Sequence, residues 1–240
     1  MIEDIQLVVW KEYRELLQGR NNMRKLLAKL LAPLILAAVF PITWGPEWVN
    51  EFPALLIAII IPALLVGVMI PDSFAGERER HTLDTLLASR LPDNAILIGK
   101  MVIPILVSWL AALLFTFLSL VVVNLAHFNG KLLVYSPANL FGIPSLSLIS
   151  ATLMTGGGIL TSMTAESVQE ATQKLMTFVL VPAMALQIVP MLFQKQILAL
   201  LKVIDGPQLL GLVTAILAAA DMGISLLAFR KFQRSKMYLD

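Results

Sequence analysis

Cysteine is absent from the 240 residues, histidine occurs twice, and charged residues make up only 14% of the chain. Without cysteine there is no disulfide staple and no thiolate metal site, and redox chemistry says nothing about compartment. The shortage of charge excludes more. Eighteen basic and sixteen acidic side chains, gathered into a few stretches, cannot give a soluble chain of this size its polar exterior. Their near balance, a formal net charge of +2, offers no footprint for nucleic acid. A phosphate-cradling loop is also missing. Gly-Lys occurs only at Gly99-Lys100 and Gly130-Lys131, where Met101 and Leu132 stand in place of the required Ser or Thr. The chain by itself is therefore expected to hydrolyse no nucleotide. The start, Met1, Ile2, Glu3, Asp4, is acidic where a secretory signal would be basic, so no cleaved signal is expected.

What the chain has in excess is apolar surface: 58% hydrophobic residues and a mean hydropathy of +0.82. That composition belongs to an integral membrane protein. Six apolar stretches, near residues 26–44, 53–71, 101–126, 143–163, 175–193 and 209–229, each approach the roughly 20 residues an α-helix needs to cross about 30 Å of hydrocarbon. Within them only Lys29 and Asp221 are charged, and barrel strands would alternate instead of running continuously apolar. The expected fold is an all-α membrane domain of six transmembrane helices, one domain over 1–240. Orientation follows from Lys and Arg, which stay on the cytoplasmic side during insertion. Fifteen of the eighteen fall before span one, between spans two and three, before span five, or after span six; only Lys131, Lys195 and Lys202 fall in the other loops. Both termini are thereby placed in the cytoplasm, in a multi-pass cytoplasmic-membrane protein.

Residues 1–18 are not a span. Ile2, Ile5, Val8, Val9, Leu16 and Leu17 recur near helical spacing, with Glu3, Asp4, Lys11, Glu12, Arg14 and Glu15 largely elsewhere, and Trp10 and Tyr13 favour an interfacial depth. The pattern predicts an amphipathic helix on the cytoplasmic leaflet, ended near Gly19 and tied to span one by the basic run 20–29; the alternative is a helix packed on the protein's own loops. Residues 194–208 are too short and too charged to cross and are compatible with a dip into the outer leaflet. Pro33, Pro62, Pro104, Pro182 and Pro190 each remove a backbone donor and favour a kink. Span four is rich in small residues (Ser145, Ser147, Ser150, Ala151, Thr152, Thr155, Gly156, Gly157, Gly158, Thr161, Ser162), which suits close helix contact ahead of a lining for a translocation path.

The most informative stretch lies between spans two and three. Residues 73–91 read as a short amphipathic helix, charged in its first half (Glu77, Arg78, Glu79, Arg80) and carrying an apolar stripe at Leu83, Leu86 and Leu87. Such a helix can dock in a groove on a partner, or be a solvated face that touches nothing. With Asp72 ending span two, the charged run 76–80, Thr82-Leu83-Asp84, Leu86-Leu87 and Lys100 opening span three, the sequence resembles the permease subunits of type-2 ABC exporters. The layout of an interfacial helix followed by six spans resembles them as well. His81 stands where a small residue is usual, Asp84 replaces the commoner Glu, and Arg90 takes a position often held by Pro.

The resemblance implies that 73–91 is a coupling helix that fits a cleft on a separate ATP-binding-cassette ATPase, with Glu77, Arg78, Glu79, Thr82, Leu83, Leu86 and Leu87 as the lever. A second contact is expected from Glu166 and Glu170, which with Lys174 are spaced four apart. It implies two ATPase copies and a second permease subunit, identical or not. This chain would be a non-catalytic exporter subunit in membrane lipid without a cofactor of its own, ATP and Mg being held by the ATPase. Glu77 and His81 have the spacing of a metal pair, but two ligands without a third favour an ordinary exposed ion pair. His127, beside Asn124 and Asn129, reads as a wetted interfacial residue.

Asp221 is the residue most out of place, since a carboxylate in mid-span costs about 2.5 to 3.5 kcal/mol on insertion scales. It is expected to hold a structural or cavity-facing hydrogen bond, with Asn124 and Gln187 as candidate neighbours on a translocation path. The alternative function is an ion-coupled transporter or channel working through Asp221 without an ATPase. A lipid-modifying enzyme using Glu77, Glu79, His81 and Asp84 is a further rival, but these residues form no recognisable catalytic spacing.

Overall fold

The computed structural model describes residues 1–18, 20–51, 53–192 and 205–232. Among the described residues every regular element is helical: α1 (Ile2–Gln18), α2 (Arg20–Trp44), α3 (Glu47–Asn50), α4 (Pro53–Met69), a 3₁₀ turn (Ile70–Asp72), α5 (Ala75–Glu79), α6 (Leu83–Leu87), α7 (Asp93–Ala126), α8 (Pro137–Met163), α9 (Val168–Leu192) and α10 (Gly206–Lys231). Four segments among the described residues are long and apolar enough to cross a bilayer: Pro53–Glu79, Asp93–Ala126, Pro137–Met163 and Gly206–Lys231. The apolar part of α2, Pro33–Trp44, is shorter. The segment 194–208 lies largely outside the described residues; its last four open α10, where Asp205 N donates to the Gln208 side chain at 3.4 Å.

The helices begin where the sequence offers a start. Pro92 sits at the N-cap of α7 in an extended conformation, followed by Asp93 in the first turn, so the helix starts eight residues ahead of the expected span. Ser136 caps α8, its Oγ accepting from Asn139 N at 3.3 Å, with Pro137 following.

α8 is the central helix, packing on α4, α7, α9 and α10. In lipid, apolar contact gives no driving force between helices, so close approach and interhelical hydrogen bonds must hold them. The small residues of α8 supply the approach. A Cβ on Gly156 would lie 3.0 Å from Ile224 in α10, one on Gly157 2.6 Å from the Phe178 ring in α9, and one on Gly158 2.3 Å from Ile70. Hydrogen bonds supply the rest: Ser150 Oγ donates to Ile59 O in α4 (2.7 Å), Trp109 Nε1 in α7 to Pro144 O (3.1 Å), and Ser119 Oγ in α7 to Ala37 O in α2 (2.9 Å).

Asp221 belongs to this set. Its Oδ2 accepts from Thr152 Oγ1 at 2.8 Å and its Oδ1 from Ser225 Oγ at 3.5 Å. Asn124 is not its neighbour. The Asn124 amide instead clamps the loop after α7, donating to Leu133 O (2.9 Å) and accepting from Leu133 N (2.8 Å). The Gln187 and Lys29 side chains lie outside the described residues.

Two apolar clusters fill the body. One joins α3, α4, α7 and the loop before α8 through Trp48, Ile61, Phe115 and Tyr135. There Tyr135 donates to Thr116 O at 2.9 Å, and burial pushes its hydroxyl up to about 12. The other, at the end that holds α1, joins Ile70, Phe74, Leu83, Ile96, Ile159 and Leu175, and is closed by Phe232 after α10, whose ring lies 5.4 Å from that of Phe74.

Candidate functional site at the α1 end

α1 lies against α7 because position 99 has no side chain: a Cβ there would fall 2.5 Å from both Cβ and Cγ1 of Val8. With Val8 seated, the next turn of α1 carries Lys11 and Glu12 toward the segment that follows α4. Glu77 (2% exposed) and Lys100 (1%) meet them there. Glu77 Oε1 accepts from Lys11 Nζ at 2.5 Å and from Lys100 Nζ at 3.0 Å, while Lys100 also donates to Glu12 Oε1 at 2.9 Å and to Ser73 O at 2.8 Å. The Phe74 ring lies 5.2 Å from the Lys100 ammonium. Two cations thus face the Glu12 and Glu77 carboxylates where a lone charge could not be buried, with Glu15 3.3 Å from Lys11 at the exposed edge. Burial pulls the Lys11 pKa down, but the Glu77 hydrogen bond and the Glu77, Glu12 and Glu15 charges outweigh it, leaving the ammonium above its ordinary range.

The same segment is fastened on its other side to the turn between α8 and α9. Ser162 Oγ accepts from Phe74 N (3.1 Å) and Ala75 N (3.0 Å) and donates to Pro71 O (3.1 Å). Arg78 donates to Ala165 O and, at 3.1 Å, to Met163 O, placing its cation on the carbonyl end of α8. Glu79 Oε1 accepts from Val168 N at 2.9 Å, a carboxylate on the amide end of α9. Beyond that contact, Glu170 pairs with Lys174 (2.7 Å) and accepts from Glu166 N (2.8 Å), and both hold its carboxyl below the usual range.

Several expected roles change on this geometry. The stretch 73–91 is two short helices broken at residues 80–82, because His81 has φ +56, a left-handed conformation that L residues other than glycine rarely adopt. Glu77 is buried and His81 exposed, so they make neither an exposed ion pair nor a metal pair. The apolar stripe faces inward: Leu83 is buried in the α1-end cluster with Leu86 packed against it, and the Leu87 side chain lies outside the described residues. Thr82 is tied back, its amide (2.9 Å) and its hydroxyl (3.3 Å) both donating to Glu77 O. Glu166 precedes α9, so only Glu170 and Lys174 share a helical face. What points outward is Arg80, His81, Thr82, Asp84 and Thr85, with Arg80 bridged to Asp72 at 3.0 Å.

Lys11, Glu12 and Ser162 were not singled out from sequence as site residues. Ser162 reads there as one more small residue of span four, and no periodicity in α1 says that its Lys and Glu face a buried partner.

The model of the ABC-2 type transporter family matches residues 3–189, from the start of α1 through most of α9. This chain belongs to the ABC-2 type transporter family. It is accordingly a membrane-embedded permease component of an ABC transporter, a class of subunit that is normally non-catalytic. The matched range contains the whole charge cluster and the turn between α8 and α9 fastened to the same segment. No curated protein matches the chain.

Proposed function

We propose that this permease is an exporter subunit driven by a separate ATP-binding-cassette ATPase, and that the tip at residues 80–85 is where the ATPase pushes. The observation that carries this reading is the double fastening of the segment behind the tip. Glu77 ties it to α1 and α7 through Lys11 and Lys100, and Ser162, Arg78 and Glu79 tie it to the ends of α8 and α9. A force on the tip then reaches four helices at once, while the exposed His81, Asp84 and Thr85 can set register with a partner. The lever is a bent pair of short helices anchored by Leu83 and Leu86, and Glu77, Arg78 and Glu79 act as its internal rivets. Glu166 and Glu170 border the same face.

In this reading α2 and α9 complete six spans, both termini lie in the cytoplasm, and the α1 end faces it. Two copies of the ATPase hold ATP and Mg, and a second permease chain, identical or different, completes the path. Asp221, with both carboxylate oxygens engaged by hydroxyls, serves the α8 to α10 contact instead of an ion path.

The test is co-purification of the tagged full chain from its native membrane in mild detergent. An ATP-binding-cassette ATPase is expected with the wild type. The exposed-tip variant Asp84→Lys/Thr85→Arg should lose it about tenfold, the effect of roughly 1.4 kcal/mol, while still inserting. Undiminished recovery with the tip variant, or transport by the purified chain alone without nucleotide, overturns the proposal.

A further inference from the structure

The exposed flank of α1 does not lie flat on α7. Between them runs a groove of about 450 Å³, walled by Ile5, Gln6, Val9, Trp10 and Tyr13 of α1 and Val102 and Ile103 of α7. Its size falls in the range of small-ligand sites, roughly 300 to 1,000 Å³. Its wall is almost wholly apolar.

Two features say what occupies it. The groove opens onto an uninterrupted apolar track on α7, where Leu106, Leu110 and Leu114 follow Val102 at one-turn intervals and are 44%, 57% and 65% exposed. From residue 102 to 114 the track runs about 18 Å at 1.5 Å per residue. That matches one leaflet, half of a hydrocarbon core of about 30 Å. At the other end of the groove the chemistry turns polar: the Arg14 guanidinium lies 4.0 Å over the Trp10 ring and is exposed. Trp and Tyr with a basic neighbour mark headgroup depth. Glu15 beside Arg14 is paired with Lys11 at 3.3 Å, and Glu3, on the same stripe as Arg14, is eleven residues away, about 16 Å along the axis.

We infer that the α1/α7 groove is a binding site for an anionic glycerophospholipid, one acyl chain lying in the groove and on the α7 track and the phosphate meeting Arg14. A water-soluble ligand would leave the track unused, and a zwitterionic lipid would gain little from Arg14. The inference requires only that α1 lies at the membrane surface, so it stands or falls separately from any ATPase partner.

The experiment uses the full chain in phosphatidylcholine vesicles carrying a small fraction of phosphatidylglycerol with a diazirine on one acyl chain. A parallel sample carries the same diazirine chain on phosphatidylcholine. After illumination, the labelled peptides are mapped by mass spectrometry. Peptides of α1 and of residues 102–114 should be labelled about fivefold more by the anionic probe, the effect of one basic side chain near an anionic headgroup. Arg14→Glu, on an exposed side chain outside the buried charge cluster, should remove that preference. Ile103→Trp, which fills the groove with Arg14 intact, should lower labelling of α1 by both probes. Equal labelling of the wild type by the two probes, no labelling of α1, or a preference that survives Arg14→Glu overturns the site.

Discussion

Lys100 is 1% exposed and makes three hydrogen bonds, two of them to carboxylates that also face Lys11 or the bundle. Removing one partner from a buried ion pair costs about 3 to 5 kcal/mol, because the uncompensated charge stays behind, whereas removing both and filling the space with apolar atoms is often near neutral. Lys100→Met alone is therefore expected to lower stability by about that amount, and Glu77→Met alone comparably. The double variant should fall well short of the sum, a coupling read by unfolding all four proteins in detergent. Strict additivity would mean that the cluster contributes nothing as a unit. Lys11 adds a pH dependence whose sign follows from its raised pKa. A cation whose folded pKa exceeds its unfolded value of about 10.5 stabilises fully below that value and ceases to do so as pH rises through the folded pKa. Attachment of α1 should hold at neutral pH and weaken above about 10.5, as loss of protection from a protease acting on α1. The Lys11→Met variant should lack that alkaline step.

At the scale of elements, the joint between α1 and α7 turns on one missing methyl group. Gly99→Ala brings a Cβ to 2.5 Å from Val8, a separation real side chains essentially never show, so α1 must shift. Because both Cβ and Cγ1 of Val8 are that close, Val8→Ala still leaves the clash and only Val8→Gly removes it. We expect Gly99→Ala to release α1 to proteolysis, Val8→Ala not to rescue it, and Val8→Gly to rescue it at the cost of a weaker α1 helix. Rescue by both would place the contact elsewhere. The elements themselves were legible: the apolar stretches at 53–71, 101–126, 143–163 and 209–229 all lie on helices, since continuous apolar runs of that length have one use in a bilayer. The interior of 73–91 was not. An i, i+3, i+4 stripe at Leu83, Leu86 and Leu87 says that a helix has an apolar face, but not whether that face meets a partner or the protein itself. Nor does local pattern reveal a left-handed residue at His81, although its standing where a small residue is usual in the resembling permeases was a clue. The partners of Glu77 lie 66 and 23 residues away, a separation that periodicity cannot see.

For the whole molecule, sidedness decides whether the rest can work. The charge cluster, the exposed tip at 80–85 and the turn between α8 and α9 are bonded to one another and so lie at one end, and Phe232 joins them from the end of α10. Lys131, exposed in the loop after α7, follows a helix that starts near that end and runs 34 residues, about 51 Å, away from it. A membrane about 30 Å thick in its apolar core must then separate the tip from Lys131. Because the chain has no cysteine, single introduced thiols report position without background. Arg80→Cys, Thr164→Cys and Lys131→Cys all replace exposed residues and are suited to an impermeant maleimide. With fifteen of the eighteen Lys and Arg residues in the loops and termini assigned to the α1 side, that side is expected to stay in the cytoplasm. Intact cells should label Lys131→Cys alone, and inverted vesicles should label Arg80→Cys and Thr164→Cys. The reverse pattern would put the tip outside, where no ATPase could reach it. Labelling of all three from one side would mean that α7 does not cross at all.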